Sequence, residues 1–82
     1  MVIELRLYTR RDCELCHEME ETLAQELARV PANLETILVD GDDELEKQFG
    51  QEVPVLFVNG RKAFKFRVTP RELRRRIAKE KR

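Results

Sequence analysis

Cys13 and Cys16, in Cys13-Glu14-Leu15-Cys16, are the residues whose type and spacing most directly suggest chemistry. Three residues is nearly one helical turn, which brings two sulfurs to disulfide distance. A thiolate is both a nucleophile and a metal ligand, so the pair reads as a redox couple or as half of a metal site. A bridge between them closes too small a loop to restrain an unfolded chain much, and two cysteines are too few for a stapled scaffold. As a redox couple, Cys13 attacks a substrate disulfide and Cys16 resolves the mixed disulfide. Arg10 and Arg11 stand just before the pair as cations able to meet a substrate, while Asp12 and Glu14 oppose their potential.

The thiols need a scaffold, and the hydropathy pattern supplies one. Ile3, Leu5 and Leu7 alternate with Glu4 and Arg6, the period of a strand that runs on to Tyr8. From Cys13 the period becomes helical: Leu15, Met19, Leu23 and Leu27 recur every four residues, predicting an amphipathic helix of roughly five turns that Pro31 ends. The motif therefore falls at a helix N-terminus, where unpaired N–H groups and the positive dipole end lower a thiol pKa, most of all that of Cys13.

Leu34 to Val39 forms a second strand, and its run Ile37-Leu38-Val39 predicts burial on both faces. Asp42 or Asp43 caps a short helix through Leu45 and Phe49, ended by Gly50 in a left-handed conformation. Val55 to Val58 is a third strand, Asn59-Gly60 a hairpin turn, and Ala63 to Val68 the returning strand, with Phe64 and Phe66 inward. Thr69-Pro70-Arg71-Glu72 carries a cap, a first-turn proline and the capping acid of a last helix with Leu73 and Ile77 in the core. The order is β-α-β-α-β-β-α, and the 82 residues are expected to form one domain, residues 1–82.

Composition limits the partners. Sixteen basic and sixteen acidic side chains give a formal net charge of zero, so a globally basic nucleic-acid binder is not expected. The charge is nonetheless divided: residues 1–60 hold 5 basic and 14 acidic side chains, residues 61–82 hold 11 and 2. A solvated terminal helix with cations at its C-terminal dipole end accounts for that tail. The longest apolar run, Val55-Leu56-Phe57-Val58, is far short of the ~20 residues that span a bilayer, and early charges break any leader-like stretch. No membrane association and a cytoplasmic, reducing location are expected.

Rival chemistries use the same residues. With His17 the motif matches the C-x-x-C-H pattern of haem attachment, but the alternation of strands and helices and the lack of an export signal disfavour it. A zinc site would need carboxylates or a second subunit beyond two cysteines and the sole histidine, and an iron–sulfur cluster would need shared thiolates. No metal ligand is assigned, and His17 is read as a surface residue. A binding module without turnover has no need of two adjacent sulfurs.

The strand Ile3–Thr9, the Cys13-Glu14-Leu15-Cys16 motif at a helix start, Val53-Pro54 before the third strand and the Asn59-Gly60 hairpin together resemble the glutaredoxin-like proteins of the thioredoxin-like superfamily. The resemblance spans almost the whole chain. It implies an α/β thioredoxin-like fold with a four-stranded mixed sheet flanked by three helices. It also implies Cys13 as nucleophile, Cys16 as resolving thiol, a cis Pro54 beside them, and Val53 as the residue whose backbone pairs with substrate. The implied activity is that of a small thiol–disulfide oxidoreductase or electron carrier without a bound cofactor. Its partners would be a disulfide-containing protein or a low-molecular-weight thiol, with a reductase or glutathione as electron donor. Glutaredoxins carry Pro-Tyr between the cysteines and a glycine pair plus an acid after the fourth strand; here stand Glu14-Leu15 and Val68-Thr69-Pro70, so glutathione as co-substrate would lose familiar contacts.

Overall fold

In the computed structural model, which describes residues 2–81, alternation of apolar and polar residues sets β1 (Ile3–Thr9) at the centre of the sheet. There follow α1 (Glu14–Leu27), β2 (Ala32–Leu38), α2 (Asp43–Phe49), β3 (Val55–Val58), β4 (Arg61–Lys65) and α3 (Pro70–Glu80). The four strands form one mixed sheet in the order β2-β1-β3-β4. β1 pairs in parallel with β2, Ile3 opposite Ala32, and antiparallel with β3, Tyr8 opposite Val55. The expected fold class and element order are those observed.

Period-two alternation sends Ile3, Leu5 and Leu7 to one face, where they meet Met19 and Leu23 of α1, Leu56 and Val58 of β3, and Leu73 and Ile77 of α3. The other face carries Tyr8 and Val55, which α2 covers with Phe49 and partly buried Leu45. Tyr8 and Phe49 stack with ring centroids 4.2 Å apart, and Phe57 meets both edge-on.

Five expectations need correction. The helix begins at Glu14, with Cys13 as its N-cap, and it leaves helical geometry after Leu27; the Arg29 and Val30 amides both bond the Glu26 carbonyl, so the chain turns away before Pro31. Its buried stripe is Cys16, Met19, Leu23 and Glu26, not the every-fourth-residue row, and Leu15 and Leu27 are half-buried. β2 is not buried on both faces: it is an edge strand, and Leu38 is 43% exposed. Gly50 is right-handed, φ −53°; glycine suits it because a Cβ would stand 2.5 Å from the Glu46 carbonyl oxygen and 3.0 Å from Arg10 Nη2. β4 stops at Lys65, and Phe66 is 40% exposed rather than core. Phe66 would lie opposite Pro54, which has no N–H to offer a ladder.

At the hairpin, Asn59 and Gly60 take φ +48° and +82°, the signs a tight two-residue turn demands. Thr69 and Glu72 form the expected capping box of α3.

Candidate active site

The site is assembled where β1 ends and α1 begins. Asp12 is left-handed, φ +53°, and reverses the chain so that Cys13 enters at the N-cap of α1. There its Sγ accepts a hydrogen bond from the Cys16 amide at 3.2 Å, the kind of donor that an N-cap position offers a sulfur. Cys13 and Cys16 are joined as a disulfide, with Cα atoms 5.2 Å apart. The two sulfurs differ in environment. Cys16 is 2% exposed, packed with Tyr8, Val39, Val53 and Val55, whereas Cys13 is half-buried at the edge of that cluster.

Val53 and Pro54 lie in the connection between α2 and β3, and the peptide bond between them is cis. Pro54 is fully buried, and Val53 shares the apolar cluster of Cys16, so the structure brings together the four residues Cys13, Cys16, Val53 and Pro54. The Pro54 carbonyl accepts from the Phe66 amide at 2.9 Å, while Val53 makes no backbone-to-backbone hydrogen bond among the described residues. Next to them, the Glu52 carboxylate accepts from the Lys62 ammonium and lies 3.8 Å from that of Lys65. The Lys62 hydrogen bond, with the charges of both lysines, holds the Glu52 carboxyl below the usual carboxylate range.

Arg10 and Arg11 take different positions. Arg10 turns inward toward α2: Nη1 lies 2.8 Å from Glu46 Oε1, and Nη2 donates to Glu46 Oε2 at 2.9 Å and to the Gly50 carbonyl at 3.1 Å. Asp40 Oδ1 stands 3.8 Å from the same guanidinium. Its hydrogen bond to Glu46 raises the Arg10 pKa above the ordinary value. Arg11 is exposed, and its amide donates to Asp40 Oδ2 at 3.1 Å. The loop before Cys13 is thereby fastened to Asp40 and to α2. His17 is exposed, 4.0 Å from Glu20 one turn along. Among the described residues, no three His, Cys, Asp or Glu side chains converge on a metal position.

Three neighbours of the site were not expected from the sequence: Glu46 and Asp40 as partners of Arg10, and Phe66 beside Pro54. The last had a signal. A four-residue β3 and a two-residue turn leave no strand partner for a residue as late as Phe66.

The model of the glutaredoxin-like domain (DUF836) matches residues 4–78, both cysteines included. The chain belongs to this glutaredoxin-like family. An uncharacterized protein of Mycobacterium tuberculosis, Rv0508, is 31% identical over 81 residues, covering 93% of this chain and 84% of its own. Among solved structures, the protein XcR50 from X. campestris superposes with a TM-score of 0.80 at 34% identity, covering 92% of this chain and 96% of that one. Desulfothioredoxin from Desulfovibrio vulgaris Hildenborough, solved in its reduced form, gives a TM-score of 0.73 at 28% identity, with 96% and 82% covered. A glutaredoxin-like, thioredoxin-type fold with a disulfide-forming cysteine pair at a helix N-terminus supports a redox-type role. No helix among the described residues is long and apolar enough to cross a membrane.

Proposed function

We propose that the protein is a thiol–disulfide oxidoreductase or electron carrier in which Cys13 attacks and Cys16 resolves. The observation that carries this reading is the asymmetry of the pair: the half-buried Cys13 caps α1 and is reachable, whereas Cys16 is 2% exposed and reachable only from Cys13. In the reduced protein, the helix N-terminus that donates to Cys13 Sγ favours its thiolate. The thiolate attacks a disulfide of a protein or small thiol compound, forming a mixed disulfide and releasing one thiolate. Cys16 then attacks Cys13 Sγ, and the second substrate sulfur leaves. The Val53 backbone, free of backbone partners among the described residues, lies beside this path and is suited to pair with an extended substrate. A reductase dithiol or glutathione would return the two electrons. The likeness to desulfothioredoxin, a protein solved in its reduced form, accords with a dithiol state.

The test is a redox titration in glutathione and dithiothreitol buffers, with free thiols counted by mass at each potential. A reversible two-electron transition confined to Cys13 and Cys16 is the expected result. Thiols that never pair within the chain would end this reading.

A further inference from the structure

Arg10 stands three residues before Cys13, where the sequence suggests a cation able to meet a substrate. The structure commits its donors elsewhere. Nη1 lies 2.8 Å from Glu46 Oε1, and Nη2 donates to Glu46 Oε2 at 2.9 Å and to the Gly50 carbonyl at 3.1 Å. Asp40 Oδ1 adds a second carboxylate 3.8 Å from Nη1. A guanidinium matched in this way cannot become the counter-ion of a substrate without giving up the fork.

The two segments that it joins are the two limbs of the site. Arg10 precedes Cys13 by three residues, and Gly50 precedes Val53 by three. Among the described residues, the bond from Arg10 to Gly50 is the only hydrogen bond between residues 10–13 and residues 50–54. Glycine permits that approach, since a Cβ at position 50 would stand 3.0 Å from Arg10 Nη2. Each limb is stiff beyond the joint. The Glu52 amide donates to the Phe49 carbonyl at 2.8 Å, closing a turn between Gly50 and Val53, and the Arg11 amide donates to Asp40 Oδ2 at 3.1 Å. On its far side the second limb is tied to β4 by Glu52 and Lys62, so without Arg10 it is held from one side only. Cys16 and Val53 also share an apolar cluster, but hydrophobic contact is non-directional, whereas hydrogen bonds hold a distance and an angle.

We propose that Arg10 is a positioning residue for the exchange reaction, fixing the Val53 backbone at the separation from Cys13 that an extended polypeptide disulfide must span. The proposal rests on the exchange reading and adds what sets its preference for polypeptides. A peptide paired with Val53 delivers its sulfur in line with Cys13 only if the two limbs keep their spacing. A small disulfide with no backbone to pair makes no such demand. The reaction itself balances between the two partners. Cys13 thiolate bonds to one substrate sulfur as the substrate S–S bond breaks, and the released thiolate takes a proton. Cys16 loses its proton, bonds to Cys13 Sγ and expels the second substrate thiolate. The substrate gains two electrons and the dithiol loses two.

The experiment uses the full chain, reduced and freed of reductant, in single turnovers over a range of excess probe. The probes are the symmetric disulfide of a blocked, linear, uncharged peptide and hydroxyethyl disulfide. A fraction of unfolded protein lowers both rates equally, so their ratio is insensitive to stability. Arg10→Lys keeps the charge and loses the fork, and Arg10→Met loses both. Each is expected to lower the ratio of peptide rate to hydroxyethyl disulfide rate about tenfold, because a small misplacement of reacting atoms is costly. The loss should fall on the limiting rate for the peptide and not on its half-saturation concentration, since the peptide still pairs but arrives out of line. Glu46→Gln should lower the ratio less, and adding it to Arg10→Met should lower it no further, as expected for two ends of one contact. A wild-type ratio in both Arg10 variants, a wild-type ratio in Arg10→Lys alone, a loss confined to half-saturation, or additive losses with Glu46→Gln would each overturn the assignment of Arg10 while leaving the exchange reading standing. A wild-type dithiol that reduces only hydroxyethyl disulfide also overturns the assignment alone, and one that reduces neither probe overturns both.

Discussion

The Arg10 guanidinium grips the Glu46 carboxylate with two nitrogens, Nη1 on Oε1 at 2.8 Å and Nη2 on Oε2 at 2.9 Å. The fork ties the loop that leads into Cys13 to a helix 36 residues further on, and a third bond, from Nη2 to the Gly50 carbonyl, fastens the end of that helix. Only a planar guanidinium can make all three at once. Arg10→Lys is therefore expected to behave like Arg10→Met rather than like the wild type. Amide hydrogen exchange should quicken across α2 and the 10–12 loop in both variants; protection unchanged in α2 would show that the fork does not hold it.

The division of labour between the sulfurs follows from their burial. Cys16→Ser should accumulate a mixed disulfide on Cys13, stable for minutes to hours without added thiol, because no second sulfur is present to expel the substrate. Cys13→Ser should accumulate none. Intact-mass spectra after reaction with a peptide disulfide distinguish the two, and the reverse pattern would exchange the assigned roles.

Glu26 is 5% exposed in α1, its Oε1 3.3 Å from Arg74 of α3 and its Oε2 buried without a hydrogen-bond partner among the described residues. Removing the cation strands a buried carboxylate, whereas replacing the acid removes the desolvated charge itself. Arg74→Ala should cost about 1–2 kcal/mol in urea unfolding, the lower part of the usual range because the Arg74 side chain is half exposed. Glu26→Gln should cost less, and adding Arg74→Ala to it should cost almost nothing more. Additive losses in that cycle would contradict the pairing.

Acid should unfold the protein partly through two carboxyls. Glu52 is held below its ordinary value of 4.5 first by the Lys62 hydrogen bond, and Glu80 by the amide of Asn59 and then by Arg76. A depressed folded pKa means that the unfolded chain takes up the proton first. The stability these groups contribute is complete above about 4.5 and drains away as pH falls through the lower folded values. The urea midpoint should thus decline below pH 4.5, and Glu52→Gln with Glu80→Gln should flatten the decline. An unchanged slope in the double variant would reject these two residues as its source.

The α3 cap gives a local measure. Thr69→Ala removes the hydroxyl that accepts from the Glu72 amide, and it should cost about 1 kcal/mol in urea unfolding. Thr69→Ser should restore nearly all of it.

Local period and local capping were legible in the sequence for most elements, the right-handed Gly50 and the early end of α1 being the exceptions. Alternation in Ile3–Leu7, the helical repeat through Met19 and Leu23, the Asn59-Gly60 turn and the Thr69–Glu72 box each depend on residues within a few positions of one another, and each is found in place. The cysteine spacing likewise put two sulfurs within disulfide reach at a helix start, where the structure joins them. The tertiary structure decided whatever depends on which neighbour a strand or side chain acquires. Ile37-Leu38-Val39 looked doubly buried, but β2 took the sheet edge and left Leu38 exposed. Leu15 is only half-buried and Glu26 is buried because α1 settled with a slightly rotated stripe inward. Arg10 found Glu46 and Asp40, and Phe66 left the core because its strand ran out opposite a proline. No short-range pattern encodes such contacts, since the groups that make them meet only after the sheet has closed.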